Sequence, residues 1–377
     1  MRKKLWISLG MVLCLSLAAE PAAARVVFSG DIRFAYADRD RDERDGSESS
    51  SSDWRVRVRP GLLWQATETV SAKARLAGRY STDGTKEHFE FFTAIPGSEG
   101  LCFGDATFDE LYLRYAPTKA WDLLLGRMQT KFELEGVARK SLSRNDSPNT
   151  EITWTDGAHV RYRSAGGWEY HGILQRSEDD GPTTVRRTPL AFTESASHVT
   201  YYAGVEKKEK EGLFLQRGLD VTYIPEGLHA EGVGAGPTED YIGIAGRLAL
   251  QWFVIDKTRF VWALEGAYAP ETPSKAALRL PGSGDTDGWA GQTSANLMDF
   301  VPGHSFGVVY GHVEGGWLLS PDFGNNQRLM EARYQWRVAE NHTIEARLRG
   351  RKDLDQLTTA VRKREDTDWY LRYTARF

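Results

Sequence analysis

The sequence predicts an all-β fold: a transmembrane, antiparallel, up-and-down β-barrel of about sixteen strands. Three observations carry that prediction. Apolar and polar residues alternate with period two in segments repeated along the whole chain. The connectors between those segments are alternately short and long. Beyond the N-terminal segment no apolar run is long enough for a membrane helix, and the mean hydropathy is that of a soluble protein. A barrel reconciles the last point with a membrane, because only alternate residues need to face lipid.

The chain opens with Arg2, Lys3 and Lys4, the apolar run Leu5 to Ala19, and Ala22-Ala23-Ala24, the small-residue pattern cut by signal peptidase. About fifteen apolar residues are short for a span of about 20, so residues 1–24 read as a cleaved export signal rather than an anchor. Residues 25–377 then form one barrel domain. Cys14 follows Met11-Val12-Leu13, which lacks the small residues of a lipoprotein site. Of the 2 cysteines only Cys102 would survive processing, so an internal disulfide is excluded. Cys102 sits among glycines and reads as a loop residue, not a nucleophile.

The chain carries 48 Lys+Arg and 52 Asp+Glu, a net charge of -4. Removing Arg2, Lys3, Lys4 and Glu20 leaves 45 against 51, or -6, which gives no footprint for a nucleic-acid partner.

In the segment Trp54 to Gln65, Trp54, Val56, Val58, Leu62 and Trp64 alternate with Arg55, Arg57, Arg59 and Gln65. On a helix these arginines would spread around the circumference; on a strand they share one side. The pattern recurs where Val70, Ala72, Ala74, Leu76 and Tyr80 oppose Lys73, Arg75 and Arg79. It recurs again where Met330, Ala332, Tyr334, Trp336 and Val338 oppose Glu331, Arg333, Gln335 and Arg337. At roughly 3.3 Å per residue, ten to twelve residues cross a membrane on a tilted path. Sixteen segments are centred on Ile32, Val58, Ala74, Tyr112, Leu125, Val160, Gly172, Tyr201, Val221, Leu248, Leu264, Met298, Val309, Tyr334, Ala346 and Tyr373. An even count returns both termini to one side, and the first and last segments should pair to close the barrel.

The short connectors are Ala66 to Thr69, Pro117 to Ala120, Ser164 to Gly167, Asp256 to Thr258, Pro302 to His304 and Ala339 to Asn341. Glu206 to Gly212 is a longer, charged turn on the same side. The long connectors include Asp38 to Ser52, Ser81 to Asp105, Lys131 to Thr155, Ser177 to Ala196, Glu271 to Gly288 and Asp353 to Asp366. Short periplasmic turns and long extracellular loops are the asymmetry of a bacterial barrel. The first long connector, with its charged run Asp38 to Asp45 and its Ser-rich run Ser47 to Ser52, reads as a mobile surface loop. Tyr36, Trp54, Trp64, Tyr80, Tyr115, Trp121, Trp168, Trp252, Trp289 and Trp369 fall at predicted strand ends and read as two interfacial girdles.

The last segment places Trp369, Leu371, Tyr373, Ala375 and Phe377 on one face and Asp368, Tyr370, Arg372, Thr374 and Arg376 on the other. It resembles the closing strand of Gram-negative outer-membrane barrels, whose terminal aromatic residue is read by the barrel-assembly machinery. Trp369, Leu371, Tyr373 and Phe377 would be that signal. Glu110-Leu111-Tyr112-Leu113-Arg114-Tyr115, followed by Leu123-Leu124-Leu125-Gly126-Arg127, resembles the fourth and fifth strands of the porin superfamily. That resemblance implies an outer-membrane pore for small hydrophilic solutes or ions, in contact with lipid and lipopolysaccharide and commonly trimeric. It also implies that the third long loop, residues 131–155, folds into the lumen and narrows it.

Constrictions of porin type set basic wall residues against acidic loop residues, so that a polar solute aligns its dipole in a transverse field. Arg55, Arg57, Arg59, Lys73, Arg75 and Arg79 face inward from adjacent strands and would form a cationic ladder. Like charges at i, i+2 repel unless something requires them. The acidic candidates are Glu133, Glu135, Asp146 and Glu151, but Lys131, Arg139, Lys140 and Arg144 leave that loop near neutral. The balance predicts a weak anion preference. The other reading of the arginines is a wetted wall paired with Glu110, Glu169, Glu265 and Glu331, without a selective role.

An enzyme is not expected: G-x-S-x-G and H-E-x-x-H are missing from the sequence, and His159 and His171 face inward without a serine partner in any motif. No cofactor or metal is expected. C-x-x-C-H does not occur. Asp38, Asp40 and Asp42 have calcium-loop spacing, but Glu43 stands in place of the turn Gly and Ser49 in place of the bidentate Glu. The rival non-enzymatic class is a non-conducting barrel that sheathes a partner or serves as a surface receptor.

Overall fold

The structure, a computed structural model, describes residues 24–82, 106–143, 155–176, 189–190, 199–255, 257–320 and 322–377, apart from the side chains of 79, 80, 106, 107 and 254. Residues 1–23 of the expected export signal, with Cys14, and Cys102 lie outside the described residues. The strands are β1 (Arg25–Asp42), β2 (Glu48–Gln65), β3 (Val70–Ser81), β4 (Ala106–Thr118), β5 (Trp121–Met128), β6 (Thr155–Arg163), β7 (Trp168–Arg176) and β8 (Val199–Lys208). They continue as β9 (Phe214–Leu228), β10 (Glu239–Ile255), β11 (Thr258–Tyr268), β12 (Trp289–Val301), β13 (His304–Val313), β14 (Gln327–Ala339), β15 (His342–Asp353) and β16 (Glu365–Arg376). All sixteen expected centres fall inside their strands. Every strand pairs antiparallel with its chain neighbours and β1 pairs with β16, so the sheet is a closed barrel.

Period two decides which way each side chain points. On β1 and β2, Phe28, Phe34, Trp54 and Trp64 are exposed on the outer wall while Asp31, Ala35 and Ala37 are buried inside. Leu111, Leu113, Tyr115, Leu123 and Leu125 continue the outer apolar belt on β4 and β5. A wall that is apolar outside and charged inside is stable only with lipid around it and water within. Aromatic rings edge the belt at both ends. Tyr36 packs against Trp54 and Trp369, and Tyr268 against Trp289, at the long-loop end. Trp121 with Tyr162, Trp252 with Phe260, and Trp336 with His304 do so at the short-turn end.

At the seam Ile32, Phe34 and Tyr36 lie opposite Ala375, Tyr373 and Leu371. The Gly30 amide donates to the Phe377 carbonyl (2.8 Å) and the Phe377 amide donates back to Gly30 (3.1 Å). A Cβ at Gly30 would stand 2.5 Å from the Arg59 carbonyl oxygen and 2.6 Å from the Phe377 ring. Gly30→Val should therefore cost about 1–3 kcal/mol, read as a lower urea midpoint of the refolded barrel. An unchanged midpoint would show that the seam relaxes around the added carbons.

The reading of Asp38 to Ser52 as a mobile loop is corrected. β1 runs to Asp42 and β2 starts at Glu48, with Asp38 and Asp40 paired to Ser52 and Ser50, so only residues 43–47 turn. Charge and serine content suggested a loop, but the period-two rule still holds across the run. Arg39 and Arg41 point inward onto Asp366 (3.1 and 2.8 Å), while Asp38 and Asp40 occupy the opposite face of β1. Asp38, Asp40 and Asp42 thus share one strand face and do not form a loop.

Inside the barrel the two sides differ. β10 to β13 turn small residues inward, including Ala245, Ala249, Ala263 and Ala267. That leaves room for other parts of the chain, and a buried apolar cluster fills it. β14, β15, β16, β1, β2 and β3 turn long charged side chains inward instead.

Candidate functional site

Of the expected ladder on β2 and β3, the described side chains Arg55, Arg57, Arg59, Lys73 and Arg75 lie on the inner face of the barrel, interleaved with carboxylates. Asp31 of β1 takes Arg57 (2.9 Å) and Arg59 (2.5 Å). Asp109 takes Arg75 (2.7 Å) and Arg59 (3.3 Å), and Glu110 takes Lys73 (2.8 Å) and Arg75 (2.9 Å). Arg55 reaches Asp53 at 2.7 Å; the side chain of Arg79 lies outside the described residues. Asp109 and Glu110 are neighbours in the chain yet both buried in the lumen wall, because a bulge opposite Arg75–Leu76 adds one residue to β4. Of the four glutamates considered as partners, only Glu110 meets the ladder. Glu169 pairs with Arg163, Glu265 with Arg247, and Glu331 with Lys140 and Arg333.

Closure extends this basic wall to strands remote in sequence. Asp368 of β16 takes Arg347, Arg349 (2.8 Å) and Arg351 (3.6 Å) of β15. Asp366 takes Arg39, Arg41, Arg351 and Arg364. Glu345 takes Arg372 (2.7 Å) and Arg333 (3.4 Å). Each of these carboxylates is shared by two or more cations, so the wall keeps a positive excess. Arg33 lies among Arg57, Arg59 and Arg372, and its Nε makes no hydrogen bond. The same alternation that placed Arg57 could have found Arg33, Arg349 and Arg351, had the last strands been laid beside the first.

Residues 130–143 run along the opposite wall. Gln216 of β9 clamps the loop by accepting from the Glu135 amide (2.9 Å) and donating to the Glu133 carbonyl (3.0 Å). Asn296 of β12 accepts from the Val137 amide, and Glu265 of β11 accepts from the Leu142 amide (2.8 Å). Ser143 donates to Asp220. Lys140 is buried against Glu331 of β14 at 2.9 Å, and burial lowers its pKa against the pull of Glu331 and Asp322. Glu135 carries Arg139 (3.7 Å) and Lys208 (3.6 Å), so this acid is internally compensated. Asp146 and Glu151 lie outside the described residues.

Solved structures share this architecture. The chain is similar to OprB of Pseudomonas putida, at 10% identity over 93% of this chain and 94% of that one, with a TM-score of 0.55. It is also similar to the outer membrane channel DcaP of Acinetobacter baumannii, at 13% identity over 96% and 100%, with a TM-score of 0.57. A third is OpdQ of Pseudomonas aeruginosa, at 13% identity over 93% and 97%, with a TM-score of 0.52. The fold is that of the outer-membrane porins. No protein-family model matches the chain, and no curated protein sequence matches it.

Within this porin fold a second segment, residues 314–320 and 322–326, also turns inward. Trp317 is fully buried and donates its indole N–H to the Leu142 carbonyl (3.0 Å); Ser320 donates to the Ser141 carbonyl. The Tyr241 hydroxyl donates to the Gly316 carbonyl and accepts from the Leu318 amide. Space for this segment comes from inward-facing glycines: a Cβ at Gly311 would lie 2.1 Å from the Phe323 ring, and one at Gly243 would lie 2.4 Å from Leu319. Sequence reading overlooked this segment. Its signal was the apolar run Trp317-Leu318-Leu319 in a connector that would otherwise face water.

Arg247 of β10 joins wall and loop. Its guanidinium is buried against Asp220, reaches Glu265 (3.5 Å) and donates to the Phe132 carbonyl (2.6 Å). Arg247→Met would leave two buried carboxylates without their cation, and should lower unfolding stability by about 3–5 kcal/mol in a urea titration. The histidines do not assemble a hydrolytic site among the described residues. His159 meets His171 at 3.1 Å and His312 meets Glu314 at 2.7 Å.

Proposed function

We propose that this chain forms a water-filled channel of the Gram-negative outer membrane, through which small hydrophilic solutes or ions diffuse passively with a weak preference for anions. The observation that carries the reading is the division of the lumen. Residues 130–143, 314–320 and 322–326 are held against β9–β14 and in this reading narrow the bore from one side. Across the remaining gap stands the arginine wall of β14–β3, where Asp31, Asp109, Glu345, Asp366 and Asp368 are each shared by two or more guanidiniums. A solute passing between them meets fixed charge on one side and loop backbone held by wall side chains on the other, which favours hydrated anions and hinders apolar solutes. Residues 131–155 are the constricting loop in this reading, and residues 1–24 the export signal removed before assembly. No step of the reading calls for bond-making chemistry.

Planar-bilayer recordings with the refolded protein test it. Discrete ohmic conductance steps are expected, with a reversal potential on the anion side in a salt gradient. A barrel that inserts into the bilayer and never conducts would overturn the channel reading in favour of a sheath or receptor.

A further inference from the structure

Below the root of the inner loop, at the short-turn end of the lumen, Glu169 and His171 of β7 meet Glu206 of β8. His171 Nε2 stands 3.8 Å from Glu169 Oε2 and 3.8 Å from Glu206 Oε1, and the three ligand atoms lie within 4.8 Å of one another. The His171 side chain is 5% exposed and that of Glu206 9%. Neither His171 Nε2 nor Glu206 Oε2 makes a hydrogen bond. A buried imidazole nitrogen aimed between two carboxylates, with no partner of its own, costs free energy unless something binds there.

We propose that Glu169, His171 and Glu206 form a binding site for a divalent transition-metal cation of the zinc class. One nitrogen and two carboxylate oxygens suit zinc, cobalt or nickel better than calcium, which takes six to eight oxygens. The surrounding groups orient the ligands as second partners do in metal centres. His159 Nε2 holds His171 Nδ1 at 3.1 Å, which leaves Nε2 as the ligand atom. Arg163 Nε donates to Glu169 Oε1 at 3.0 Å, which leaves Oε2. The Phe132 ring, 5.0 Å from His171, closes one side. Metal–ligand bonds of about 2.0–2.1 Å require the ligand atoms to draw closer together. Glu169, the most exposed of the three, can supply that movement.

Entry is provided by a cavity of about 360 Å³ lined by Thr130, Lys131, His159, Arg161, Gly167 and Lys208 besides the ligands and Phe132. The competing charge is Lys208, whose Nζ lies 3.5 Å from Glu206 Oε2 and is itself part-exposed. A bound dication would displace that ammonium and neutralise both carboxylates.

The site stands apart from the channel reading, because a barrel that does not conduct can still bind metal. The test uses the full barrel in detergent micelles, stripped with a chelator and titrated with Zn2+ by calorimetry and with Co2+ by visible absorption. One equivalent should bind, with Co2+ bands of a low-symmetry nitrogen–oxygen site. His171→Ala and Glu206→Gln should each weaken binding by about tenfold or more. Glu314→Gln, at the exposed His312 pair, should leave it unchanged. If His171→Ala does not assemble, Glu169→Gln at the part-exposed ligand reads out the same loss. Substoichiometric binding, or affinity kept within about twofold in these ligand variants, would overturn the proposal.

Discussion

Replacing residues 133–142 with a short Gly-Ser link should raise single-channel conductance by about twofold or more, because the segment occupies lumen cross-section rather than wall. The strand ladder is complete without it, so the barrel should still close. The lost contacts are specific. Gln216 and Asn296 would lose their loop amides, Glu331 would lose Lys140, and Trp317 would lose the Leu142 carbonyl. Leu134, Val137, Ala138 and Leu142 are all buried, so their removal also strips apolar packing from β9–β13. The same variant should therefore unfold at lower urea. Conductance unchanged within error would mean that these residues do not bound the conducting path. A wider pore with full stability would mean that the packed cluster around Trp317 holds without them.

The second large effect concerns selectivity. Arg33, Arg57 and Arg351 can be changed together to Gln without leaving a carboxylate bare. Asp31 keeps Arg59, Asp366 keeps Arg39 and Arg41, and Asp368 keeps Arg347 and Arg349. The triple variant removes three positive charges from one wall while the strands keep their register. In a tenfold salt gradient the reversal potential should move to the cation side by on the order of 10 mV, out of the ~59 mV such a gradient supplies for a monovalent ion. The shift should shrink at high ionic strength, as the Debye length falls from about 10 Å at 0.1 M to about 3 Å at 1 M. A reversal potential that stays in place would show that the arginines serve only to hold the carboxylates.

Much of this barrel was legible in the chain because strand geometry is a period-two code. Once Trp54, Val56 and Val58 face lipid, Arg55, Arg57 and Arg59 have no choice but the lumen. The same logic foresaw the seam of Ile32, Phe34 and Tyr36 with the last strand. What escaped was set by departures from that code and by distance. The bulge at Asp109 places two successive carboxylates on one face, which strict alternation forbids. Asp31 meets Arg57 and Arg59 only through pairing of β1 with β2. Arg347, Arg349 and Arg351 join Arg33 and Arg57 only when the barrel closes. The run 38–52 misled through composition, where period outweighed charge. The inward turn of residues 314–320 and 322–326 depends on Gly243 and Gly311 opening space on other strands, which the apolar run Trp317-Leu318-Leu319 alone does not locate.

The seam also governs the order of assembly. Asp366 gathers Arg39 and Arg41 of β1, 327 and 325 residues away, together with Arg351 and Arg364. Until the last strand arrives, β1 lies open with unpaired backbone along a long, flat edge, and such edges recruit other chains. Contacts this remote in sequence form late and slowly. The β1 edge would therefore stay unpaired until β16 reaches it. Closure is the moment at which Arg39 and Arg41 join Arg351 and Arg364 on one carboxylate and the open edge disappears.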